Sequence, residues 1–159
     1  MKKIGILTCA NTTNDLGCSM YFCLQAARDG TDSFAQYKGN SGAEIIGVMS
    51  CAGCPTAVSP ERVLDRVRAL ADLGAEVIHF STCVAALCPF KDQYEAVIRE
   101  HYPKVKVVFG THGGPGTPAE TLKLMQTGVK GLLEQPRKGM VDLINEVKMM
   151  MNDEGKTKH

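Results

Sequence analysis

The chain has 159 residues, of which 18 are Lys or Arg and 17 are Asp or Glu, giving a formal net charge of +1. This is the length of one domain, and a domain of this size buries enough core to fold without disulfide bonds. The balanced charge argues against nucleic acid or an anionic membrane as a partner, and no apolar run approaches the roughly 20 residues of a membrane span.

The first residues favour a β-strand over a secretion signal. Lys2 and Lys3 precede an apolar run that Gly5 interrupts and that ends at Thr8 and Cys9. This run is short for the apolar region of a signal peptide. We therefore expect a cytoplasmic protein whose chain begins with a strand.

Segments of strand type then alternate with segments of helix type. Short apolar runs that end in polar or glycine-rich residues predict strands, and apolar positions three and four apart predict helices. Strands are predicted at residues 3–9, 44–50, 76–81 and 104–109. Helices are predicted at residues 18–28, 59–73, 90–101, 117–133 and 141–150.

The order of these elements predicts an α/β fold. Crossovers this short, each carrying a helix, produce right-handed connections and a parallel sheet with helices on both faces. We expect a single-domain, three-layer sandwich whose sheet has four strands, with room for a fifth, in the flavodoxin-like order 2-1-3-4. The domain is expected to span residues 1–151, followed by a flexible tail over residues 152–159.

Seven cysteines are the most unusual feature of the sequence. In a reducing compartment, cysteines at this density are more often metal ligands or catalytic groups than disulfides. Five cysteines and one histidine lie at or just beyond the carboxyl ends of predicted strands: Cys9, Cys51, Cys54, Cys83, Cys88 and His112. The carboxyl ends of parallel strands meet at one edge of a sheet, about 4.8 Å apart, so we expect these side chains to converge there.

The spacing of the cysteines favours thiolate chemistry. Cys51 and Cys54 are separated by two residues, which lets both sulfurs meet one ion, and Gly53 relieves the tight turn between them. Cys83 and Cys88 form a second pair of cysteines with a wider spacing. The positive ends of the following helices would stabilise thiolates in these loops. Of the remaining two, Cys23 is interpreted as core packing, whereas Cys18 could point into the same crevice.

Two histidines and a glycine-rich loop complete the candidate set. His79 lies inside the third strand, on the same side as Cys83, and is equally compatible with a ligand and with a core residue. His112 is better placed to bind a metal or to act as an acid–base group. The following Gly113 and Gly114, before a capped helix, could cradle an anion or cofactor, or could form a loop that closes over the site.

Several functions fit these residues. Zinc suits a mixed Cys and His site, an iron–sulfur cluster suits an all-cysteine site, and the histidines favour zinc. The alternative is a thiol–disulfide oxidoreductase in which Cys51 attacks and Cys54 resolves. A low-molecular-weight phosphatase is excluded, because Asp15 stands where that motif requires arginine. The apolar stripe of residues 141–150 suggests a homodimer contact.

The chain also resembles the CGGC-domain proteins, small prokaryotic proteins described as metal-binding from their cysteines and histidines. The resemblance runs from the first strand to Gly113 and is carried by the segments around Cys9, Cys51–Cys54, His79–Cys83, Cys88-Pro89 and Gly110–His112. It implies that the site residues are Cys51, Cys54, Cys83, His79 and His112. Ala52 departs from the name-giving motif, which has glycine there. The family has no firmly established reaction, so the resemblance implies a metal but no substrate.

Overall fold

A computed structural model describes residues 1–39, 42–54 and 59–113 of the chain. The predicted helices at residues 117–133 and 141–150, the tail at residues 152–159, Gly114 and the suggested dimer contact lie outside these described residues. The domain boundary at residue 151 therefore stays a prediction.

Four parallel strands form one sheet in the order β2-β1-β3-β4, which confirms the predicted order. The strands are β1 (Lys2–Thr8), β2 (Ala43–Ser50), β3 (Val77–Phe80) and β4 (Lys106–Phe109). All pairings are parallel, because a helical crossover returns the chain to the same end of the sheet before each new strand.

Four α-helices lie between and beside these strands. They are α1 (Tyr21–Asp29), α2 (Arg62–Asp72), α3 (Thr82–Leu87) and α4 (Lys91–His101). A single π-helical turn (Asn11–Asp15) follows β1, and a 3₁₀ helix (Asp32–Tyr37) follows α1. No helix in the described part of the chain is long and apolar enough to cross a membrane.

Three helical details differ from the sequence-based expectation. The first α-helix begins at Tyr21 rather than at residue 18, because Met20 adopts a left-handed conformation with φ of 60°. The 3₁₀ helix and α3 were not predicted. Both are six residues long, too short to show a clear helical period in the sequence.

Two buried clusters occupy opposite faces of the sheet. Along β3, Ile78 and Phe80 belong to one cluster, whereas Val77 belongs to the other, as the period of two along a strand requires. The first cluster includes residues of α2 and α4, and the second includes residues of α1 and the 3₁₀ helix. Helical segments therefore cover both faces, as predicted. The complete three-layer arrangement stays a prediction.

Helix α2 approaches the sheet closely where two glycines pair. Gly5 of β1 lies opposite Gly47 of β2, just beyond a register shift in the ladder. A Cβ atom at Gly47 would lie 2.7 Å from Cδ2 of Leu70, and one at Gly5 would lie 2.5 Å from its Cδ1. These glycines therefore make room for Leu70, which seats α2 against β1 and β2.

Candidate metal centre

Cys9 and Cys51 are brought together by the pairing of β1 with β2. They directly follow Thr8 and Ser50, which lie opposite each other in the ladder. The backbone N–H of Cys51 donates to the carbonyl oxygen of Thr8 over 2.8 Å, so the pairing continues to the cysteines. The two thiols are near enough for a hydrogen bond between them to shift the pKa of each. Both side chains are half-buried and pack against the first core cluster.

Backbone N–H groups surround these two sulfurs. The Cys51 sulfur accepts from Ala10, with 3.3 Å between N and Sγ, and also from Gly53. The Cys9 sulfur accepts from the N–H groups of Asn11 and Thr12. Gly53 has φ of 92°, a left-handed conformation that favours glycine. Its observed role is thus to aim an amide at Cys51.

The hydrogen bonds favour a thiolate on Cys51. The bond from Cys9 lowers the pKa of Cys51 to about 6, outweighing the burial that would raise it, and the amides of Ala10 and Gly53 act in the same direction. The bond to Cys51, together with burial, raises the pKa of Cys9. In this pair the thiolate is therefore favoured on Cys51 and the thiol on Cys9.

Cys54 and Cys88 lie in the same neighbourhood. Cys54 is exposed, and its sulfur accepts a hydrogen bond from Asn11, with 3.4 Å between Nδ2 and Sγ. Cys88 follows α3 and packs against the first core cluster. Burial raises the pKa of Cys88, the amide of Phe90 partly offsets this, and negative charge on Cys9 or Cys54 raises the pKa further. These charge effects mark the four cysteines as one electrostatic group.

Cys83 belongs to a different group of cysteines. It lies in the first turn of α3, where its sulfur contacts Oγ of Ser81 at 2.9 Å and Oγ1 of Thr12 at 3.3 Å. Its charge raises the pKa of Cys23, which burial raises more strongly. Cys23 lies in the second core cluster, in agreement with its interpretation as core packing.

Cys18 completes this second group. It is exposed, and its charge also raises the pKa of Cys23. Its backbone N–H donates to the carbonyl oxygen of Thr12 over 2.9 Å. Whether Cys18 points into the same crevice as Cys9 and Cys51 stays a prediction.

His79 is fully buried, and both of its ring nitrogens are engaged. Nδ1 lies 2.8 Å from the carbonyl oxygen of Gly110, and Nε2 lies 2.7 Å from the hydroxyl of Tyr37. Because a carbonyl only accepts, Nδ1 carries the proton and Nε2 accepts from Tyr37. The ring stacks on Phe34 with centroids 4.4 Å apart. No ring nitrogen is left over for a metal in this arrangement.

His112 and Gly113 lie on the loop after β4. His112 is half-buried, with its ring centroid 5.9 Å from that of Phe22, and its carbonyl oxygen accepts a hydrogen bond from the hydroxyl of Thr82. A Cβ atom at Gly113 would lie 2.6 Å from Oδ1 of Asp32. The nearby carboxylate makes this glycine a poor cradle for an anion.

Within residues 1–39, 42–54 and 59–113, no three His, Cys, Asp or Glu side chains stand in a geometry that could hold a metal ion. Cys9 and Cys51 form a contacting pair, and Cys54 and Cys88 lie near it. The donor set is nevertheless chemically suited to a soft metal, since it consists of thiols whose sulfurs accept N–H hydrogen bonds. A shared metal would require the side chains of Cys54 and Cys88 to turn inward.

One segment that organises this site was not among the candidates from the sequence. It consists of residues 10–13, which follow β1 and include the first part of the π-helical turn. They contact three of the four grouped sulfurs and that of Cys83. Three of these contacts are made by backbone amides. Because such contacts do not depend on the residue type, the sequence does not predict them. The polar run from Asn11 to Asp15 marks this segment in the sequence, but by itself it indicates only where the first strand ends.

The fold and the site thus define a class: a parallel α/β domain with cysteines grouped at the carboxyl ends of its strands. The CGGC-domain family model matches residues 3–112, and the chain belongs to this family. Two uncharacterized proteins of Methanocaldococcus jannaschii are similar to it. One is 27% identical over 118 residues, covering 69% of this chain and 86% of that protein. The other is 36% identical over 70 residues, covering 42% of this chain and 98% of that protein. No solved structure matches the chain.

Proposed function

We propose that this protein binds a metal centre through the thiolates of Cys9, Cys51, Cys54 and Cys88. The observation that carries the proposal is the position of Cys9 and Cys51, which directly follow paired residues of β1 and β2 and pack against the same core cluster. Metal ligation needs deprotonated thiols. The surroundings of this pair already favour one thiolate on Cys51.

The amide groups around the sulfurs support the same conclusion. Four thiolates around a divalent cation leave a net charge of ~−2 by simple counting. N–H donors to ligand sulfurs offset such charge and tune the metal that the sulfurs bind. N–H donors reach all four of these cysteines. Backbone amides donate to Cys9, Cys51 and Cys88, and the side-chain amide of Asn11 donates to Cys54.

Three predicted ligands are left out of the proposed set. Cys83 groups electrostatically with Cys23 and bonds to hydroxyl groups rather than to amides. Both nitrogens of His79 are engaged in the core. His112 lies on the loop beside Phe22, on the side of α1. The positions after predicted strands indicated Cys83 and His112, the strand period left His79 equally compatible with a core residue, and the family resemblance implied all three.

The proposed ligand set contains only cysteines, which changes the preference among metals. Zinc and iron–sulfur clusters both accept four cysteine thiolates. The sequence favoured zinc because of the histidines. Without histidine ligands, four cysteines suit an iron–sulfur cluster as well as zinc. The colour of the protein distinguishes the two kinds of site. A zinc site is colourless, whereas a cluster absorbs in the visible range.

The experiment is metal analysis of protein purified anaerobically without chelators, combined with a visible absorption spectrum. We expect a stoichiometric metal in the wild type and its loss in the Cys51→Ser and Cys88→Ser variants. Cys83→Ser is the matched control, because it removes a half-buried thiol near the same edge of the sheet and should keep the metal. Wild-type protein without metal, or a Cys51→Ser variant that retains it fully, would contradict the proposal.

A cytoplasmic location goes together with this function. All seven cysteines are free thiols in the structure. A reducing compartment keeps thiols in this state and available to a metal. We therefore retain the cytoplasm as the proposed location, to be checked by fractionation of cells that express the protein at its natural level.

A further inference from the structure

We propose that Cys9 and Cys51 are also a redox pair, and that they close to a disulfide in the metal-free protein when a glutathione-type disulfide is the oxidant. The bond itself needs no metal. Its consequence for metal binding rests on the proposed function.

The register of the sheet makes the two cysteines neighbours at the ends of adjacent strands. Thr8 lies opposite Ser50, and the hydrogen bond from the Cys51 N–H to the Thr8 carbonyl carries this pairing one residue further. Neighbouring strands lie about 4.8 Å apart. Disulfides join residues whose Cα atoms are roughly 4.4–6.8 Å apart. The bond therefore fits the backbone without moving it.

The two side chains lie on the same side of the sheet. Cys9 and Cys51 directly follow the paired residues Thr8 and Ser50, and both pack against the first core cluster. Both cysteines are half-buried, which leaves the pair accessible to a small oxidant.

This pairing differs from the one that the sequence favoured. The CxxC spacing suggested Cys51 and Cys54 as the reactive pair. In the structure Cys54 is exposed and its sulfur accepts a hydrogen bond from Asn11, whereas Cys51 is half-buried and packs against the same core cluster as Cys9. The partner of Cys51 thus comes from the neighbouring strand and not from its own loop.

The chemistry balances as two exchange steps. The Cys51 thiolate attacks one sulfur of oxidised glutathione, forming a mixed disulfide and releasing one glutathione thiolate. The Cys9 thiol loses its proton to solvent or to that thiolate and attacks the Cys51 sulfur, which releases the second glutathione. Two cysteine thiols and one oxidised glutathione give one protein disulfide and two reduced glutathiones. The two electrons pass from the cysteines to glutathione.

As a consequence, the site has two mutually exclusive states, one with the disulfide formed and one with the metal bound. A disulfide between Cys9 and Cys51 removes two of the four proposed thiolates at once. The oxidised protein is then unable to hold the metal until a dithiol reduces it. A bound metal would conversely protect both sulfurs from exchange.

The test uses metal-free, full-length protein treated with oxidised glutathione. Remaining thiols are alkylated, and the digested protein is mapped by mass spectrometry. We expect one intramolecular bond, between the peptides of Cys9 and Cys51, and the same bond in the Cys54→Ser variant. The Cys9→Ser variant should stop at the mixed disulfide on Cys51. A bond between Cys51 and Cys54, or no intramolecular bond, would overturn the inference.

A second measurement separates this inference from the proposed function. The metal content of fully reduced protein tests the metal site alone and does not involve the disulfide. For metal-loaded protein, we expect the bond to form at least tenfold more slowly than in metal-free protein. Equal rates would show that the bound metal does not cover this pair, and would overturn the two-state site.

Discussion

The side-chain amide of Asn11 donates a hydrogen bond to the sulfur of Cys54, with 3.4 Å between Nδ2 and Sγ. The backbone N–H of the same residue donates to the sulfur of Cys9. Asn11 therefore links the turn after β1 to the loop after β2, and it touches two of the proposed ligands without being a ligand itself.

Replacing Asn11 with alanine is expected to weaken metal binding by roughly 10–100-fold, the range found when outer partners of metal ligands are removed. The variant loses the donor that holds Cys54 but keeps the backbone donor to Cys9. Competition with a chromogenic chelator measures the affinity. Asn14→Ala is the matched control, since Asn14 is an exposed asparagine of the same turn. An equal loss in both variants would show that the turn matters only for folding.

Removing the metal is expected to destabilise the protein. A metal present at 1,000 times its dissociation constant adds about 4 kcal/mol to the folded state, which raises Tm by roughly 10 °C in a chain of this size. Thermal unfolding with and without a chelator measures this difference. Cys88→Ser should unfold at the same temperature in both conditions. A chelator effect that survives in Cys88→Ser would place the metal elsewhere.

The meeting of Cys9 and Cys51 was predictable from the sequence because parallel strands end at one edge of a sheet. What the sequence could not supply was the direction of each side chain beyond the strand end. Cys83 also follows a strand, but the unpredicted α3 begins there and turns its sulfur toward Ser81 and Thr12. The end of a predicted strand indicates where the next loop starts, but it does not indicate the path that the loop follows.

His79 shows the limit of reading a strand by its period. The alternation correctly put His79 on the side of Ser81 and Cys83, but this side is also the face covered by the 3₁₀ helix. That helix carries Tyr37 and Phe34, which hold the imidazole. Because so short a helix leaves no period in the sequence, the partners that make His79 a core residue could not be foreseen.

The buried imidazole predicts a dependence of stability on pH. Burial lowers the pKa of His79 below its ordinary value near 6.5, and the charge of Lys106 acts in the same direction. Above about pH 6.5, neither the folded nor the unfolded chain protonates this group. As the pH falls below that value, the unfolded chain takes up a proton that the folded chain refuses. The free energy of unfolding should therefore fall, by at most about 1.4 kcal/mol per pH unit.

Urea unfolding between pH 5 and pH 7.5 measures this effect. His101→Gln is the control, since His101 is exposed, and this variant should show the same pH dependence as the wild type. Replacing His79 with phenylalanine should remove the part of the slope that His79 contributes below about pH 6.5. NMR titration of the folded protein is independent of that variant. A His79 ring that protonates at pH 6.5 or above would refute the prediction.

The order of the strands could be predicted from the sequence, whereas the close packing of α2 against the sheet could not. Short crossovers and alternating strand and helix patterns restrict a parallel sheet to few topologies. The role of Gly47, in contrast, depends on a distance between two elements. Only the structure shows that its bare Cα faces Leu70.

Replacing Gly47 with alanine is expected to destabilise the protein by about 1–3 kcal/mol, the usual cost of overpacking a core. The three atoms nearest to the new Cβ all belong to Leu70, at 2.7, 3.7 and 3.8 Å. In a Leu70→Ala background, which itself costs about 2–5 kcal/mol, the same substitution should therefore cost much less. Urea unfolding of the wild type, both single variants and the double variant gives the coupling energy. Identical costs of Gly47→Ala in the two backgrounds would mean that the strain comes from the strand itself and not from α2.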